Sequence, residues 1–318
     1  KDYRGKEIKE LVGKHGLDRI MKYEKLLVDG VEILYNYNYK PDFKKEFGEI
    51  FSQKLIPNYS KKISTICENI NNSDGIILIY SQYISGGLIP MALALESMGF
   101  SRYGTKYNLL KDNKTNDSKK KYVFITGDNR YSFNNEQYLK TLTNDNNKDG
   151  EKIKVVLISK TGAEGLDFKF IRQVHILEPW FNMNRIEQII GRAVRTCSHK
   201  LLPLIKRNVS IFMHGSYYEK EKDLELVDMY TYRHAEKKSI QIGRITRLMK
   251  QGSVDCNLNI EQQNFTEQKF NHKIKQTLFN NKQIPFYVLI DTQREIIWQG
   301  SSITHKRLSE IIFSYQRR

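Results

Sequence analysis

The fold of this chain is constrained most by short apolar runs that alternate with stretches of helical periodicity. Each run is five or six residues long, and most are bounded by Gly, Pro or other turn residues. The runs are 76–80, 122–126, 154–159, 174–178 and 208–213. Short segments that are mostly apolar are typical of strands buried on both faces of a parallel sheet.

The stretches beside these runs have apolar residues at helical spacing. They cover 61–70, 89–98 and 186–194. Strands that alternate with helices predict the α/β class, with a parallel sheet flanked by helices and right-handed crossovers. Such sheets place ligand sites at the carboxyl ends of their strands. The loops that leave those ends are therefore the candidate functional sites.

The composition excludes several classes of protein. The 318 residues are 39% hydrophobic, which is too apolar for an intrinsically disordered chain. The longest apolar stretch, 86–95, is far shorter than the ~18 residues of a membrane-spanning helix, so no membrane partner is expected. The three cysteines, Cys67, Cys197 and Cys256, lie far apart in the sequence. They predict neither a disulfide framework nor a metal site.

The charge of the chain is strongly positive. Lys and Arg number 52 against 36 Asp and Glu, a formal charge of +16. A basic surface attracts the phosphate backbone of DNA or RNA. A simpler interpretation stays open, because the chain is also rich in Asn, Ile and Tyr, and many of its lysines can merely solvate the surface.

The sequence divides into three parts. Residues 1–60 show no regular pattern and are expected to pack on the core as a lead-in segment. Residues 61–215 contain the predicted sheet. Residues 216–318 are predicted to form a mainly helical extension with a β-hairpin at 284–300 and a closing helix at 304–315. The inner face of the long helix is predicted to consist of Leu224, Val227, Ile240, Ile245, Leu248 and Met249.

The loop after the 154–159 run reads SKTGAEGLD and contains two glycines. Glycine allows a tight turn and a close approach to a ligand's phosphate. The carboxylate of Asp167, two residues past Gly165, can accept a hydrogen bond from a ribose hydroxyl or orient an arginine. A Gly-rich turn between a strand and a helix is also ordinary α/β architecture, so this loop alone does not define a site.

The segment 188–195 reads QIIGRAVR. Arg192 and Arg195 stand three residues apart on a predicted helix, so their guanidinium groups share a face. Two arginines on one face can bind a polyphosphate and neutralise the charge that develops in phosphoryl transfer. An ordinary pair of surface arginines on an amphipathic helix explains the same spacing.

Taken together, these segments resemble the second RecA-like half of superfamily 2 helicases. SKTGAEGLDF (159–168) resembles their motif V, QIIGRAVR (188–195) their motif VI and ILIYSQ (77–82) their motif IV. The stretch 174–199 and SVDCNLN (253–259) are similar to the helicase-like ATPases of nucleocytoplasmic large DNA viruses. These are relatives of the poxvirus nucleoside triphosphate phosphohydrolase I and of the early transcription factor small subunit.

The resemblance implies a role for each matching residue. Arg195 would be the arginine finger on the γ-phosphate of ATP, with Arg192 beside it. The other residues implied to bind ATP are Gln188, Gly191, Gly165 and Asp167. Those implied to lie near a nucleic-acid backbone are Ser81, Gln82, Ser159, Lys160 and Thr161.

Two parts expected of such a motor do not occur in the sequence. There is no G-x-x-x-x-G-K-[ST] phosphate loop and no Asp-Glu dipeptide. In the family that the chain resembles, these parts belong to the first RecA-like domain, which holds most of the Mg²⁺-ATP. The resemblance therefore implies that the chain is the carboxyl-terminal half of an ATP-dependent helicase or translocase, inactive on its own.

The expected partners are DNA or RNA, a first RecA-like domain on the same or another chain, and a viral RNA polymerase. The expected location is the virion or the cytoplasmic factory of an infected cell. The alternative is a non-catalytic nucleic-acid-binding subunit of a viral transcription complex. A Rossmann-type cofactor enzyme is disfavoured, because no G-x-G-x-x-G turn follows a strand.

Overall fold

The computed structural model describes residues 12–28, 30–110, 119–163, 165–216 and 225–256, with three strands between 273 and 299. The chain divides into two compact units. The first consists of residues 1–178 and 187–214, and the second of residues 179–186 and 215–318. This division does not test the predicted domain limits, and 61–215 remains our proposed extent of the sheet domain.

The first unit begins with a hairpin that the sequence pattern did not predict. After α1 (Gly13–Ile20), the antiparallel strands β1 (Met21–Val28) and β2 (Val31–Tyr39) pair around a turn at Gly30. Gly30 has φ +80°, a backbone conformation that glycine adopts readily. The sequence Asp29-Gly30 between two valines is a typical hairpin signal. The irregular aromatic tract after it obscured this signal.

Two short helices, α2 (Pro41–Phe47) and α3 (Ile56–Tyr59), connect the hairpin to α4 (Lys61–Asn71). Ser60 caps α4 by accepting a hydrogen bond from the backbone N–H of Ile63 at 3.3 Å, as expected of a serine at this position. Leu17, Met21 and Leu34 from the hairpin region share one hydrophobic core with Ile66 and Ile70 of α4. The lead-in segment is therefore an integral part of the first unit's core.

A six-stranded parallel sheet forms the centre of the first unit. Its strands are β3 (Ile76–Tyr80), β4 (Ser101–Arg102), β5 (Lys121–Ile125), β6 (Val155–Ile158), β7 (Ile171–Ile176) and β8 (Ser210–Met213). The spatial order is β4-β5-β6-β3-β7-β8, and every neighbouring pair is parallel. The predicted α/β class, with a RecA-like parallel sheet flanked by helices, is confirmed.

The predicted strands and helices of this unit are present with small shifts. β7 begins three residues before the predicted 174, because the polar Arg172 and Gln173 concealed its start. The helices are α5 (Ile89–Ser97), α6 (Asn135–Leu142), α7 (Lys160–Ala163) and α8 (Met183–Ala193). A π-helical turn at Ile84–Leu88 leads into α5, and β4 is too short to leave a pattern in the sequence.

The second unit contains the long helix α9 (Val227–Gln251) and three antiparallel strands, β9 (Lys273–Thr277), β10 (Gln283–Asp291) and β11 (Arg294–Gln299). The predicted hairpin corresponds to β10 and β11, and β9 extends it. The predicted closing helix at 304–315 lies outside the described residues. Within the described part of the chain, no helix is long and apolar enough to cross a membrane.

The predicted inner face of α9 is wrong. The buried side of the helix contains Met229, Thr231, Tyr232, Ala235 and Gly243. The predicted residues Val227, Ile245, Leu248 and Met249 are between 60% and 79% exposed. Ile240 is partly buried, and Leu224 lies outside the described residues. Apolar side chains also occupy exposed positions in most proteins, so a helical apolar pattern does not by itself identify the buried side.

Candidate functional site

Asp167 lies at the centre of a charged cluster with the two arginines of the 188–195 segment. Its Oδ1 is 2.7 Å from Nη2 of Arg195, and its Oδ2 accepts a hydrogen bond from Nη1 of Arg195 at 3.1 Å. Nη1 of Arg192 lies 3.7 Å from Oδ1. All three side chains are partly or largely exposed. The cluster is therefore held by the loop and remains accessible to a ligand.

The loop that carries Asp167 is shaped by its glycine and by a buried aromatic ring. Gly165 has φ +73°, so a side chain at this position would strain the backbone. The backbone N–H of Phe168 donates to the carbonyl of Arg192 at 3.3 Å, and the Phe168 side chain is buried. The loop is thus anchored to the end of α8, which explains how a residue 25 positions before Arg192 reaches it.

A second junction ties the turn after α8 to the start of β7. The N–H of Phe170 donates to the carbonyl of Ser198 at 3.3 Å, and Nε2 of His199 lies 2.7 Å from the carbonyl of Ile171. Since a carbonyl only accepts, Nε2 carries the proton, and Nδ1 accepts from the Ser198 hydroxyl at 2.7 Å. Phe170 and Cys197 both have positive φ, 64° and 62°. Such strain in non-glycine residues persists where the surrounding structure fixes the backbone.

The structure corrects one detail of the arginine pair. Helix α8 ends at Ala193, so Arg195 lies just beyond the helix instead of on it. Both guanidinium groups nevertheless point to Asp167. Gln188 is exposed on α8, and a Cβ built at Gly191 would meet no atom within 4 Å. The described structure thus leaves the space at Gln188 and Gly191 open.

The residues predicted to lie near a nucleic acid come together at the carboxyl edge of the sheet. β6 is paired with β3 on one side and β5 on the other, with Ile158 opposite both Tyr80 and Ile125. The N–H of Ser81 donates to the carbonyl of Ile158 at 3.2 Å, and that of Ser159 to the carbonyl of Ile125 at 3.3 Å. The loops beginning at Ser81 and Ser159 are therefore neighbours.

These residues differ in exposure. The side chains of Ser81 and Ser159 are buried, so neither hydroxyl group is exposed to a ligand from solvent. Lys160 and Thr161 are exposed on the one-turn helix α7, and Gln82 is partly exposed. Thr161 packs closely on Gly127, where an added Cβ would lie 2.9 Å from Cγ2 of Thr161. Lys160, Thr161 and Gln82 are thus the members of this set whose side chains are placed to contact a nucleic-acid strand.

One buried carboxylate at this edge was missed by the sequence analysis. Oε1 of Glu178, two residues past the end of β7, accepts hydrogen bonds from the Ser81 hydroxyl at 2.9 Å and from the Gln82 N–H at 2.5 Å. Burial raises the pKa of Glu178, while these hydrogen bonds oppose the rise. The only sequence signal is an acidic residue directly after an apolar strand, where a ligand-binding role is equally plausible.

The described residues contain no group of three or more His, Cys, Asp or Glu side chains placed to hold a metal ion. The two arginines suit the phosphates of a nucleotide. The Asp167 carboxylate, which could bind a cation, is already engaged by both guanidinium groups. This set of side chains therefore fits the phosphate groups of ATP and not its Mg²⁺.

Five of the six strands of the parallel sheet, β3 to β7, the arginine cluster and the strand-end loops lie in the part of the chain that matches a known family. Residues 61–197 match the helicase conserved C-terminal domain family. This region, 137 of the 318 residues, is similar to helicase C-terminal domains.

Several relatives of the chain are viral proteins. It is 29% identical over 237 residues to "Putative helicase 087L" of Invertebrate iridescent virus 3, an alignment that covers 73% of this chain and 23% of the relative. It is 31% identical over 240 residues to "Termination factor NPH-I homolog" of African swine fever virus, isolate Tick/Malawi/Lil 20-1/1983, covering 64% and 34%. The chain thus spans about a quarter to a third of the length of these relatives.

Among solved structures, the C-terminal part of the Fun30 ATPase domain superposes with a TM-score of 0.36 at 14% identity, covering 62% of this chain and 48% of that chain. T4 UvsW superposes with a TM-score of 0.34 at 13% identity, covering 59% and 34%.

Proposed function

We propose that this chain is the second RecA-like half of an ATP-dependent helicase or translocase of a large DNA virus. The family match over 61–197 and the viral relatives support the class. The observation that carries the proposal is the cluster of Asp167, Arg192 and Arg195. The cluster presents two guanidinium groups at the end of α8, and its Asp167 lies on the loop that begins after β6, at the edge of the sheet where we propose that the nucleic acid binds.

In this proposal, Arg195 acts as the arginine finger and Arg192 binds the phosphates beside it. ATP carries more negative charge than the Asp167 carboxylate, so a bound triphosphate competes for the guanidinium groups. Arginine fingers stabilise the charge that develops on the transferred phosphoryl group. Gln188, Gly191 and Gly165 would line the same side of the nucleotide. The Mg²⁺ would be held mainly by a first RecA-like domain, in keeping with the donor groups of this chain.

The same loop would connect ATP to the nucleic acid. Lys160 and Thr161 at its start would contact the phosphate backbone together with Gln82, and Asp167 at its end contacts the arginines. When the arginines bind ATP, the loop would move with Asp167. The contacts of Lys160 and Thr161 with the nucleic acid would shift as well, because these residues lie on the same short loop. Because phosphate contacts carry no sequence information, we expect little sequence preference on DNA or RNA.

The proposal is tested by measuring ATP hydrolysis and strand binding by the 318-residue chain alone. We expect no turnover with or without single-stranded DNA or RNA, together with salt-sensitive binding of the strand. Turnover should appear only when a first RecA-like domain is supplied. Clear turnover by the chain alone that survives replacement of both arginines would contradict the proposal.

The alternative is a non-catalytic subunit of a viral transcription complex, in which the arginines serve only structure. The African swine fever virus relative is named a termination factor homolog, which is consistent with this alternative. The two are separated by the activity of the complete protein. A scaffold would retain its function when Arg195 is replaced, whereas a motor would lose it.

A further inference from the structure

Glu178 closes the turn that follows β3. The backbone N–H of Leu177 donates to the carbonyl of Tyr80 at 3.0 Å, which continues the pairing with β3 one residue beyond the end of β7. Glu178 is thereby placed beside the next turn. Its Oε1 accepts from the hydroxyl of Ser81 and from the backbone N–H of Gln82. A single carboxylate oxygen thus fixes two consecutive residues of the turn.

The turn is also packed from its other side. Oγ of Ser81 accepts a hydrogen bond from the N–H of Tyr83 at 3.1 Å. A Cβ on Gly87 would lie 2.1 Å from the same oxygen, so only glycine fits at position 87 without a shift. The Ser81 hydroxyl can donate its one proton to Oε1 of Glu178 at 2.9 Å or to the carbonyl of Tyr83 at 3.1 Å, and the carboxylate is the nearer and more strongly accepting of the two. The carboxylate therefore adds two hydrogen bonds to a turn that is already closed by Ser81 and Tyr83.

Burial of this carboxylate is unfavourable unless hydrogen bonds compensate for the loss of water. Burial raises the pKa of Glu178, and the positive charge of Lys62 and the bonds from Gln82 and Ser81 act in the opposite direction. Nζ of Lys62 donates to the adjacent carbonyl of Leu177 at 3.4 Å. An apolar residue would fill the same space without that cost, but it could not hold the turn.

We propose that Glu178 is a positioning residue that sets the turn at Gln82 for strand binding and connects it to the arginine segment. The chain runs from Glu178 directly into the segment that leads to α8, where Arg192 lies 14 residues further on. Displacement of the turn by a bound strand therefore acts directly on the beginning of that segment. This inference rests on the proposed function, because it assigns Gln82 a contact with the nucleic acid.

The test compares Glu178→Gln and Glu178→Ala with Glu136→Gln as the control. Glu136 is an exposed residue of α6, 79% exposed and paired with Lys140, so its replacement removes the same charge elsewhere. Each substitution changes the formal charge from +16 to +17. Simple electrostatics therefore predicts that all three variants bind the nucleic acid equally or more tightly. Positioning by Glu178 predicts weaker binding for the two Glu178 variants.

We expect Glu178→Ala to weaken binding of single-stranded DNA or RNA by the 318-residue chain by about tenfold or more, because the Gln82 N–H loses its charged acceptor and the Ser81 hydroxyl keeps only the Tyr83 carbonyl. Glu178→Gln keeps one acceptor oxygen and should fall between Glu178→Ala and the unaltered chain. Glu136→Gln should bind at least as tightly as the unaltered chain. Wild-type binding by both Glu178 variants would overturn the inference.

In the complete protein, the strand concentration that gives half-maximal stimulation of ATPase should rise in the Glu178 variants. The KM for ATP in the absence of nucleic acid should stay unchanged, whereas a general loss of structure would alter it. A parallel loss of thermal stability and strand-independent ATPase would overturn the positioning role and leave the proposed function standing. If the unaltered chain binds no strand at all, the proposed function itself fails.

Discussion

Asp167 accepts two short contacts from Arg195, at 2.7 and 3.1 Å, across 28 positions of sequence. The contact joins the loop that leaves β6 to the segment after α8. Since the carboxylate is 62% exposed, the pair contributes little to stability, typically about 0–1 kcal/mol. Its consequence is orientation: the guanidinium group that we assign to ATP is held in place before the nucleotide arrives.

Replacing Asp167 with Asn should lower the kcat of ATP hydrolysis by the complete protein roughly ten- to a hundredfold. The arginine then loses the charged group that orients it, and small misplacements of catalytic groups have effects of this size. The free energy of unfolding should change by no more than about 1 kcal/mol. Steady-state ATPase and thermal unfolding measure the two quantities.

Asp149→Asn is a matched control for this substitution, because Asp149 is also exposed and ion-paired, with Lys206 at 3.6 Å. It should leave kcat unchanged. Equal kcat values for the Asp167 variant and the control would show that the contact has no role in orienting Arg195.

Replacing Lys160 with Gln should weaken strand binding and reduce its dependence on salt. Lys160 is exposed at the start of the candidate loop, and each lost phosphate contact lowers the slope of log K against log salt by about 0.7–0.9. Titrations at several salt concentrations measure the slope. Lys140→Gln removes an exposed lysine that is paired with Glu136 and should leave the slope unchanged. Identical slopes for the two variants would remove Lys160 from the strand-binding surface.

Two paired histidines, the buried His175 of β7 and the partly buried His214 just after β8, should make stability depend on pH. Nδ1 of His175 lies 3.0 Å from Nε2 of His214, and His175 stacks on Phe212. Burial lowers the pKa of both, that of His214 to about 4. A folded-state pKa below the unfolded value of about 6.5 gives stability that is present above pH 6.5 and is lost as the pH falls toward 4.

The Tm should therefore fall between pH 7 and pH 5. Protonation of His214 should lower the free energy of unfolding at pH 5 by about 1–2 kcal/mol. His214→Gln should flatten this part of the profile, because glutamine cannot become charged. A variant whose stability falls with pH as steeply as that of the unaltered chain would show that the histidine pair is not responsible.

The two sides of α9 should respond differently to truncation. Met229 is buried, so Met229→Ala should destabilise the protein by about 2 kcal/mol or more. Leu248 is exposed, so Leu248→Ala should change the free energy of unfolding by less than about 0.5 kcal/mol. Chemical denaturation of both variants measures the difference. Equal losses would mean that the exposed side of α9 is covered in solution.

Much of the sheet could be predicted from the sequence, because its strands are buried on both faces. All five residues of β3 are buried, and such strands appear as continuous apolar runs. The hairpin of β1 and β2 was missed, since its strands mix exposed and buried residues. The buried side of α9 was also misassigned, because burial depends on what packs against a helix and not on its sequence alone.

The candidate site was predictable where a motif fixes the residue types. Asp167, Arg192 and Arg195 were singled out from spacing and resemblance, and the structure brings them together. Burial of Ser81 and Ser159 could not be foreseen, because serine is common both in buried turns and on exposed surfaces. Glu178 was missed for a related reason: its two hydrogen bonds join segments almost a hundred residues apart, and no local pattern records such a contact.

The central claim is tested most directly by ATP hydrolysis in the complete protein carrying Arg195→Ala, with Arg244→Ala on the exposed surface of α9 as the charge-matched control. At saturating single-stranded DNA or RNA, we predict that Arg195→Ala lowers kcat by about 10³-fold or more while strand affinity stays close to that of the control. Hydrolysis by Arg195→Ala at the rate of the control would contradict the assignment of Arg195 as the arginine finger and favour a non-catalytic role for this domain.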